Sequence, residues 1–123
     1  MGIVKVSLNE IIKQMNTNKK AQMVFVTNIS GKDVDWDMIF QFNLKNEDPF
    51  FLEIKHRQAK LSEGTNNNAE IVMSGEAEAI VRICEGKGDF THAISREHIT
   101  VEKGKVMDVI RLTRAITVAL KSK

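Results

Sequence analysis

Two hydrophobic periods divide this chain, and the place where one gives way to the other limits what it can fold into. In "DMIFQFNL", Met38, Phe40, Phe42 and Leu44 alternate with Asp37, Gln41 and Asn43. In "FFLEIKH", Phe50, Leu52 and Ile54 alternate with Glu53 and Lys55. A period of two puts one apolar face on each strand. Between the runs, "KNEDP" supplies Asn46, Asp48 and the only proline, Pro49, which are turn residues. "QAKLSEG" predicts a third short strand ending at Gly64, "TNNN" a loop, and "AEIVMS" a fourth strand. Consecutive strands with short connections predict an antiparallel meander.

After Ser74 the spacing becomes helical. In "GEAEAIVRICEG", Ala77, Ile80, Val81 and Cys84 recur three or four apart, and acidic residues occupy the first turn. Gly86 is placed to cap that helix at its C-terminus. Asp89 is placed to cap a short second helix, "FTHAIS". "HITVEKG" predicts a fifth strand. From Lys105 to Leu120, Val106, Val109, Ile110, Thr113, Ile116 and Leu120 form one stripe, with Lys105, Arg111, Arg114 and Lys121 mostly off it.

Before the strands, "SLNEIIKQM" has Ser7 followed by Glu10 three residues later, a capping box. Leu8, Ile11, Ile12 and Met15 continue it, predicting a helix from about Ser7 to Asn16. "KKAQMVFVTNIS" reads two ways. Its β-branched run suits a strand, while Ala21, Val24, Phe25 and Asn28 suit a helix, which is the expectation carried forward. "SGKD" reads as a loop. The organisation predicted is one α+β domain: a helical segment over 1–36, a four-stranded meander over 37–74, and helices, a fifth strand and an amphipathic helix over 75–123.

Composition narrows the function classes. At 123 residues the chain fits one domain and is long enough to bury a sizeable core without crosslinks. A net charge of +2 is too small to argue for nucleic acid. One cysteine forms no internal disulfide, which fits a reducing, cytoplasmic setting. No apolar run is long enough to span a bilayer. "MGIVKVSLNE" turns polar too soon for a secretory leader, and its hydroxyl residue, Ser7, comes one place too late for N-terminal acylation.

The stretch "ICEGKGDFTHA" holds the residues closest to a catalytic set. A nucleophilic Cys84 needs a lowered thiol pKa and an oriented base. It shares an apolar stripe with Ile80 instead, as buried cysteines do. "EGKGD" lacks phosphate-loop spacing and no strand leads into it. His56, His92 and His98 fall on separate elements without metal-ligand spacing. Glu76 and Glu78, two apart on a helix, diverge, and Glu47 and Asp48 lie in a turn. No nucleophile, base and orienter come together, so no enzyme, cofactor or metal is expected.

The order helix, strands, "AEIVMS", helix, "EGKGD", helix, "HITVEKG", amphipathic helix resembles the sterol carrier protein type 2 domain. That family's phrase is glycine-lysine-aliphatic-aspartate, then phenylalanine-x-x-glycine-lysine-aliphatic-lysine-aliphatic-x-glycine. It falls on Gly86, Lys87, Gly88 and Asp89, then on Ile94, Glu97, His98, Ile99, Thr100 and Val101, and on Gly104 after one inserted residue. "MIFQFNL" resembles the family's first strand, "FFLEIKHRQAKLSEG" the next two and "AEIVMS" the fourth. Ile94 stands at the family phenylalanine, Glu97 at its glycine and Gly88 at an aliphatic position. The resemblance covers about Met38 to Leu112.

It implies a five-stranded, mainly antiparallel sheet with helices on one face. It also implies a fatty acid, acyl-CoA, isoprenoid or sterol-like lipid held in an apolar tunnel between them. On these apolar positions the lining would come from Phe40, Phe42, Ile54, Met73, Ile80, Ile94, Val109, Ile110 and Thr113. The same residues would build the core of any such fold, and a tunnel is a core left incompletely filled. The alternative is an accessory module with a filled core, serving as a homodimer or as the partner of a lipid- or quinone-handling enzyme. The outer side of the C-terminal stripe is free to cover a tunnel mouth, meet a membrane surface or pack on another subunit. A continuous apolar void above ~300 Å³ separates the carrier from the module.

Overall fold

The computed structural model describes residues 3–121; the Met1–Gly2 start, which the acylation pattern concerns, lies outside them. Twelve elements follow in order: α1 (Ile3–Thr17), α2 (Lys19–Met23), β1 (Val26–Ile29), β2 (Lys32–Asp35), β3 (Met38–Leu44), β4 (Phe50–Lys55), β5 (Gln58–Glu63), β6 (Ile71–Gly75), α3 (Ala77–Cys84), α4 (Phe90–Ser95), β7 (Ile99–Lys103) and α5 (Val106–Lys121). The main sheet has the order β5-β4-β3-β6-β7, and β1 and β2 form a separate two-stranded ribbon. The α+β class and the five-stranded, mostly antiparallel sheet hold as read from the sequence.

The sheet's core face follows from the period of two. Phe40, Phe42, Phe50, Leu52, Ile54, Ile71 and Met73 are all fully buried. They join Val4, Leu8, Ile11, Met15, Ile80, Val109, Leu112 and Ile116 of the helices in one cluster. Phe42 and Phe50, paired across β3 and β4, stack with centroids 5.0 Å apart. Helix α1 also shields the edge strand β5. The Asn16 side chain donates to the Ala59 carbonyl at 2.9 Å and accepts from the Ala59 N–H at 2.8 Å. That consumes backbone groups an open edge would leave unpaired. Lys5 donates to Glu63 Oε1 at 2.9 Å beside it.

The meander is only three strands long. β3, β4 and β5 are antiparallel neighbours, but β6 pairs parallel with β3 instead of following β5. The 64–70 connection therefore crosses the outer face of the sheet. Gln41 shows the crossing: its Nε2 donates to the Gly64 carbonyl at 3.3 Å, and its Oε1 accepts from Asn66 N–H at 2.8 Å. Gln41 is buried for that reason, although the alternation assigns it to the polar face. A periodic strand pattern reports which residues share a face; it is silent on which strand lies alongside.

The N-terminal third departs further from the sequence reading. Helix α1 starts by Ile3, so Ser7 and Glu10 lie inside it and form no capping box at its start. Buried Val4 extends the stripe of Leu8, Ile11, Ile12 and Met15 one turn backward, and packing outweighs the local cap signal. The Lys19–Ser30 stretch is split. Asn18 caps α2 by accepting from the N–H groups of Lys20 and Ala21 at 2.8 and 3.2 Å. Val26–Ile29 is then a strand, so the 1–36 segment is not helical throughout. The turn explains the hairpin. Ser30 and Gly31 both take positive φ, 51° and 83°, the backbone of a two-residue hairpin turn.

The buried face of α5 is also rotated from the predicted stripe. Val109, Leu112, Ala115, Ile116 and Ala119 are buried; Ile110, Thr113 and Leu120 lie half-buried at its margin, and Val106 is exposed. Two alanines let the helix approach closely and carry the seam. The Thr113 hydroxyl donates back to the Val109 carbonyl at 3.3 Å, as expected for a threonine on a packed helix.

Candidate ligand-binding clefts

The stretch from Ile83 to Ala93 joins two helices by fixed geometry. Gly86, at φ 78°, sits just past the end of α3. Its N–H donates to the Ile83 carbonyl at 3.1 Å, and the Lys87 N–H donates to Arg82 at 2.9 Å. This paired motif satisfies the last carbonyls of the helix, and glycine takes the left-handed backbone at little steric cost. Asp89 then caps α4: its Oδ1 accepts from the His92 N–H at 2.8 Å and lies 2.9 Å from His92 Nδ1. Those bonds, led by the His92 N–H, hold the Asp89 carboxyl below its usual range. At the far end, Gly75 lets β6 turn into α3 against β7. A Cβ there would run into the His98 carbonyl, and the next residue, Glu76, donates its N–H to that same carbonyl at 2.9 Å.

These supports leave a cleft of about 470 Å³ between α3 and α4. Arg82, Lys87, Arg96, His92 and His98 supply cationic and imidazole groups, Glu76, Glu78 and Asp89 supply carboxylates, and Ala79, Ile83 and Ala93 the apolar floor. Among the described residues, Lys87 lies 3.8 Å from Glu85, whereas Arg82 and Arg96 form no salt bridge. A second pocket of about 240 Å³ lies between α3 and the end of α5, lined by Ile83, Gly86, Gly88, Ile116, Thr117, Leu120 and Lys121. Ile83 and Gly88 border both. A charged cleft and a smaller apolar one thus meet at a shared wall.

Cys84 is buried, and burial, with a smaller push from Glu85, raises its thiol to about 12. It is a protonated core residue at neutral pH. Among the described residues no three His, Cys, Asp or Glu side chains are grouped to hold a metal ion, and no helix is long and apolar enough to cross a membrane.

Of the nine residues proposed from sequence as tunnel lining, Phe40, Phe42, Ile54, Met73, Ile80 and Val109 are buried side by side in the core. Ile94 is half-buried and packs against that core, and Ile110 and Thr113 are half-buried on α5. None of the nine borders either cleft. The residues that do, Arg82, Arg96 and Gly88 among them, were legible only as a helix surface and a turn. Sequence reading also missed Arg111. It looked solvent-facing, yet it donates to the carbonyls of Val24 and Val26 at 2.7 and 2.8 Å and lies 4.6 Å over the Trp36 ring.

Residues 8–115 match the profile of the SCP-2 sterol transfer family. This chain belongs to that family. No curated protein matches it. Among solved structures, it is similar to a protein described as a UbiJ-SCP2 ubiquinone synthesis protein, with a TM-score of 0.68 at 12% identity over 95% of both chains. It is similar to sterol carrier protein 2, with a TM-score of 0.64 at 15% identity over 93% of each chain. It is also similar to palmitated SCP2L2 from Aedes aegypti, with a TM-score of 0.56 at 16% identity over 89% of this chain and 93% of that one. At these identities the structural matches speak for the fold.

Proposed function

We propose that this SCP-2 family member carries an amphipathic lipid without transforming it, and that the ligand enters at the paired clefts beside α3. The observation that carries this reading is the shared wall: Ile83 and Gly88 border a charged cleft on one side and an apolar pocket on the other. The charged cleft, at about 470 Å³, falls within the usual range for small-molecule sites. The apolar pocket, at about 240 Å³, is by itself smaller than the ~300 Å³ void that separates a carrier from a filled module, so the reading needs the two clefts to act together. The polar end of the ligand would face Arg82, Lys87 and Arg96, and its apolar end Ile116 and Leu120. A longer tail would part α3 from α5 past Ile83 toward Ile80 and Val109, which brings the sequence-proposed lining into use. Each buried methylene contributes about 0.8 kcal/mol, so an alkyl tail gives useful affinity with selectivity by length more than by functional group.

A neutral, buried Cys84 supports the non-catalytic part of the reading. A relative titled as palmitated supports the ligand class. The second reading, an accessory module, is favoured by one observation: the region between sheet and helices is filled by Phe40, Phe42, Phe50 and Met73 at full burial. A neighbour titled as a ubiquinone synthesis protein is in keeping with that role. Mass spectrometry of lipids extracted from the purified chain tests the choice. The carrier reading expects co-purifying lipid and displacement of a fluorescent fatty acid; purified protein that neither holds nor takes up lipid would leave the accessory module.

A further inference from the structure

A single side chain of α5 holds both legs of the β1–β2 ribbon. On the incoming leg, Arg111 Nε donates to the Val24 carbonyl at 2.7 Å and Nη2 to the Val26 carbonyl at 2.8 Å. On the outgoing leg, the same guanidinium lies 4.6 Å over the Trp36 ring. Trp36 in turn closes over the core. Its ring stacks on Phe25 with centroids 6.0 Å apart and stands edge-on to Phe40 at 5.9 Å. Its N–H donates to the Phe25 carbonyl at 2.7 Å. Phe25 and Phe40 are fully buried, whereas Trp36 is half-buried.

Little else fastens the ribbon. Its strands pair with each other and with no strand of the main sheet. Residues 28–34 are all exposed, and within 26–36 Trp36 alone packs against the core. Asp35 accepts from Arg57 Nε at 2.8 Å, but both side chains of that ion pair stay partly in solvent, where such pairs hold weakly. The two ends are firmer. Before the ribbon, Phe25 is sunk in the core and the Val24 carbonyl is bonded to Arg111. After it, Asp37 Oδ1 accepts from the His56 N–H at 3.3 Å.

We infer that residues 26–36 form a strap that lifts from the folded domain as one body, with Arg111 as its clasp and Trp36 as the stopper seated over Phe25 and Phe40. Segments that open within a native fold are those with few buried apolar contacts, and the strap has one such side chain. Lifting breaks the Val26 and Phe25 carbonyl bonds, the Asp35–Arg57 pair and the Trp36 ring contacts. Phe25 stays anchored, and the Phe40 ring is bared at the start of β3, on the side where sheet meets helices. Arg111 suits the clasp because hydrogen bonds from a cation are stronger than neutral ones, and one planar group reaches both legs. Neither Arg111 nor any strap residue borders the clefts beside α3, so the inference stands whether or not those clefts hold a lipid.

Native-state amide exchange of the full chain tests it, read beside the emission of Trp36, the only tryptophan. The Trp36 N–H and the β1–β2 amides should exchange together, at least roughly tenfold faster than the amides of β3 and β4. Arg111→Met keeps an unbranched stem and removes the donors. It should speed Trp36 exchange by about tenfold or more and shift its emission to the red, with β3 and β4 unchanged. Asp35→Asn should have a smaller effect, about twofold. Trp36 exchange no faster than that of β3 and β4 in the wild-type chain overturns the proposal. So does an Arg111→Met chain in which Trp36 exchange is unaltered, or in which protection falls equally everywhere. Should Arg111→Met fail to fold, the wild-type pattern and Asp35→Asn decide by the same criteria.

Discussion

The sheet–helix interior and the α3–α4 cleft lie side by side and are built by opposite means. The interior is made of long side chains from regular elements, with Phe42 and Phe50 stacked at 5.0 Å and β6 locked between β3 and β7. The cleft is bordered by a helix of eight residues, one of six and the turn between them, and its walls bear charges. Its shape comes from backbone devices: Gly86 ending α3, Asp89 starting α4, and Gly75 letting Glu76 sit against His98. Stability is concentrated in one region and accessible volume in the other. A ligand at the proposed clefts would therefore meet the molecule where little apolar packing has to be displaced.

Substitutions can break that division. The largest effect is expected from Phe42→Ala, which removes a fully buried ring and should cost about 3–5 kcal/mol in urea unfolding. Lipid binding at the clefts should persist in whatever fraction stays folded.

Cys84 gives the next effect, read through pH. Its thiol titrates near 9.0 when free and at about 12 in the fold. The unfolded chain thus releases the proton first as pH rises. The stability linked to Cys84 is complete below pH ~9 and declines toward pH ~12, by on the order of a few kcal/mol. Cys84→Ala should flatten that alkaline loss in thermal scans, and native thiol labelling should be slow at pH ~7. A wild-type curve no steeper than the variant's would place the thiol in solvent.

A matched pair sharpens the comparison. Val109→Trp overpacks the filled interior and should cost roughly 1–3 kcal/mol. Gly88→Trp adds a ring where a Cβ meets nothing within 4 Å and where both clefts are bordered. It should leave the melting temperature unchanged and reduce fluorescent fatty-acid binding by ~10-fold or more. The reverse outcome would mean the binding volume is in the interior.

The smallest effect concerns Glu97, at the position where the family phrase has glycine. Its φ is 63°, in the left-handed region that glycine adopts readily. Glu97→Gly should therefore stabilise, by less than about 1 kcal/mol, since relieved strain is partly offset by greater chain entropy. A loss of stability would show that the Glu97 side chain contributes more than its backbone costs.

The same division explains what the sequence discloses. Strands β3 to β6 and helix α3 were legible because burial imposes a period on Phe40, Phe42, Ile54 and Ile80. Gly86 and Asp89 were legible because capping is local chemistry within a few residues. What stayed hidden depends on partners distant in the chain. The parallel β3–β6 pairing rests on a connection whose path is fixed by Gln41, and the true face of α5 on alanines that carry little periodic signal. The ribbon was obscured because Val24 and Phe25 extend an apparent helix into the hairpin. The clefts were hidden for another reason: they are spaces between surfaces, and Arg82 and Arg96 read alone as ordinary solvated cations.

Amide chemical-shift mapping during titration with a soluble fatty acid locates the bound lipid. Saturable shifts should cluster at Ile83, Gly86 to Asp89, His92 and Leu120, with Phe42, Ile54 and Met73 little affected at low occupancy. Shifts centred on Phe42, Ile54 and Met73, with Gly88 and His92 unmoved, would contradict binding at the clefts and place the ligand between the sheet and the helices.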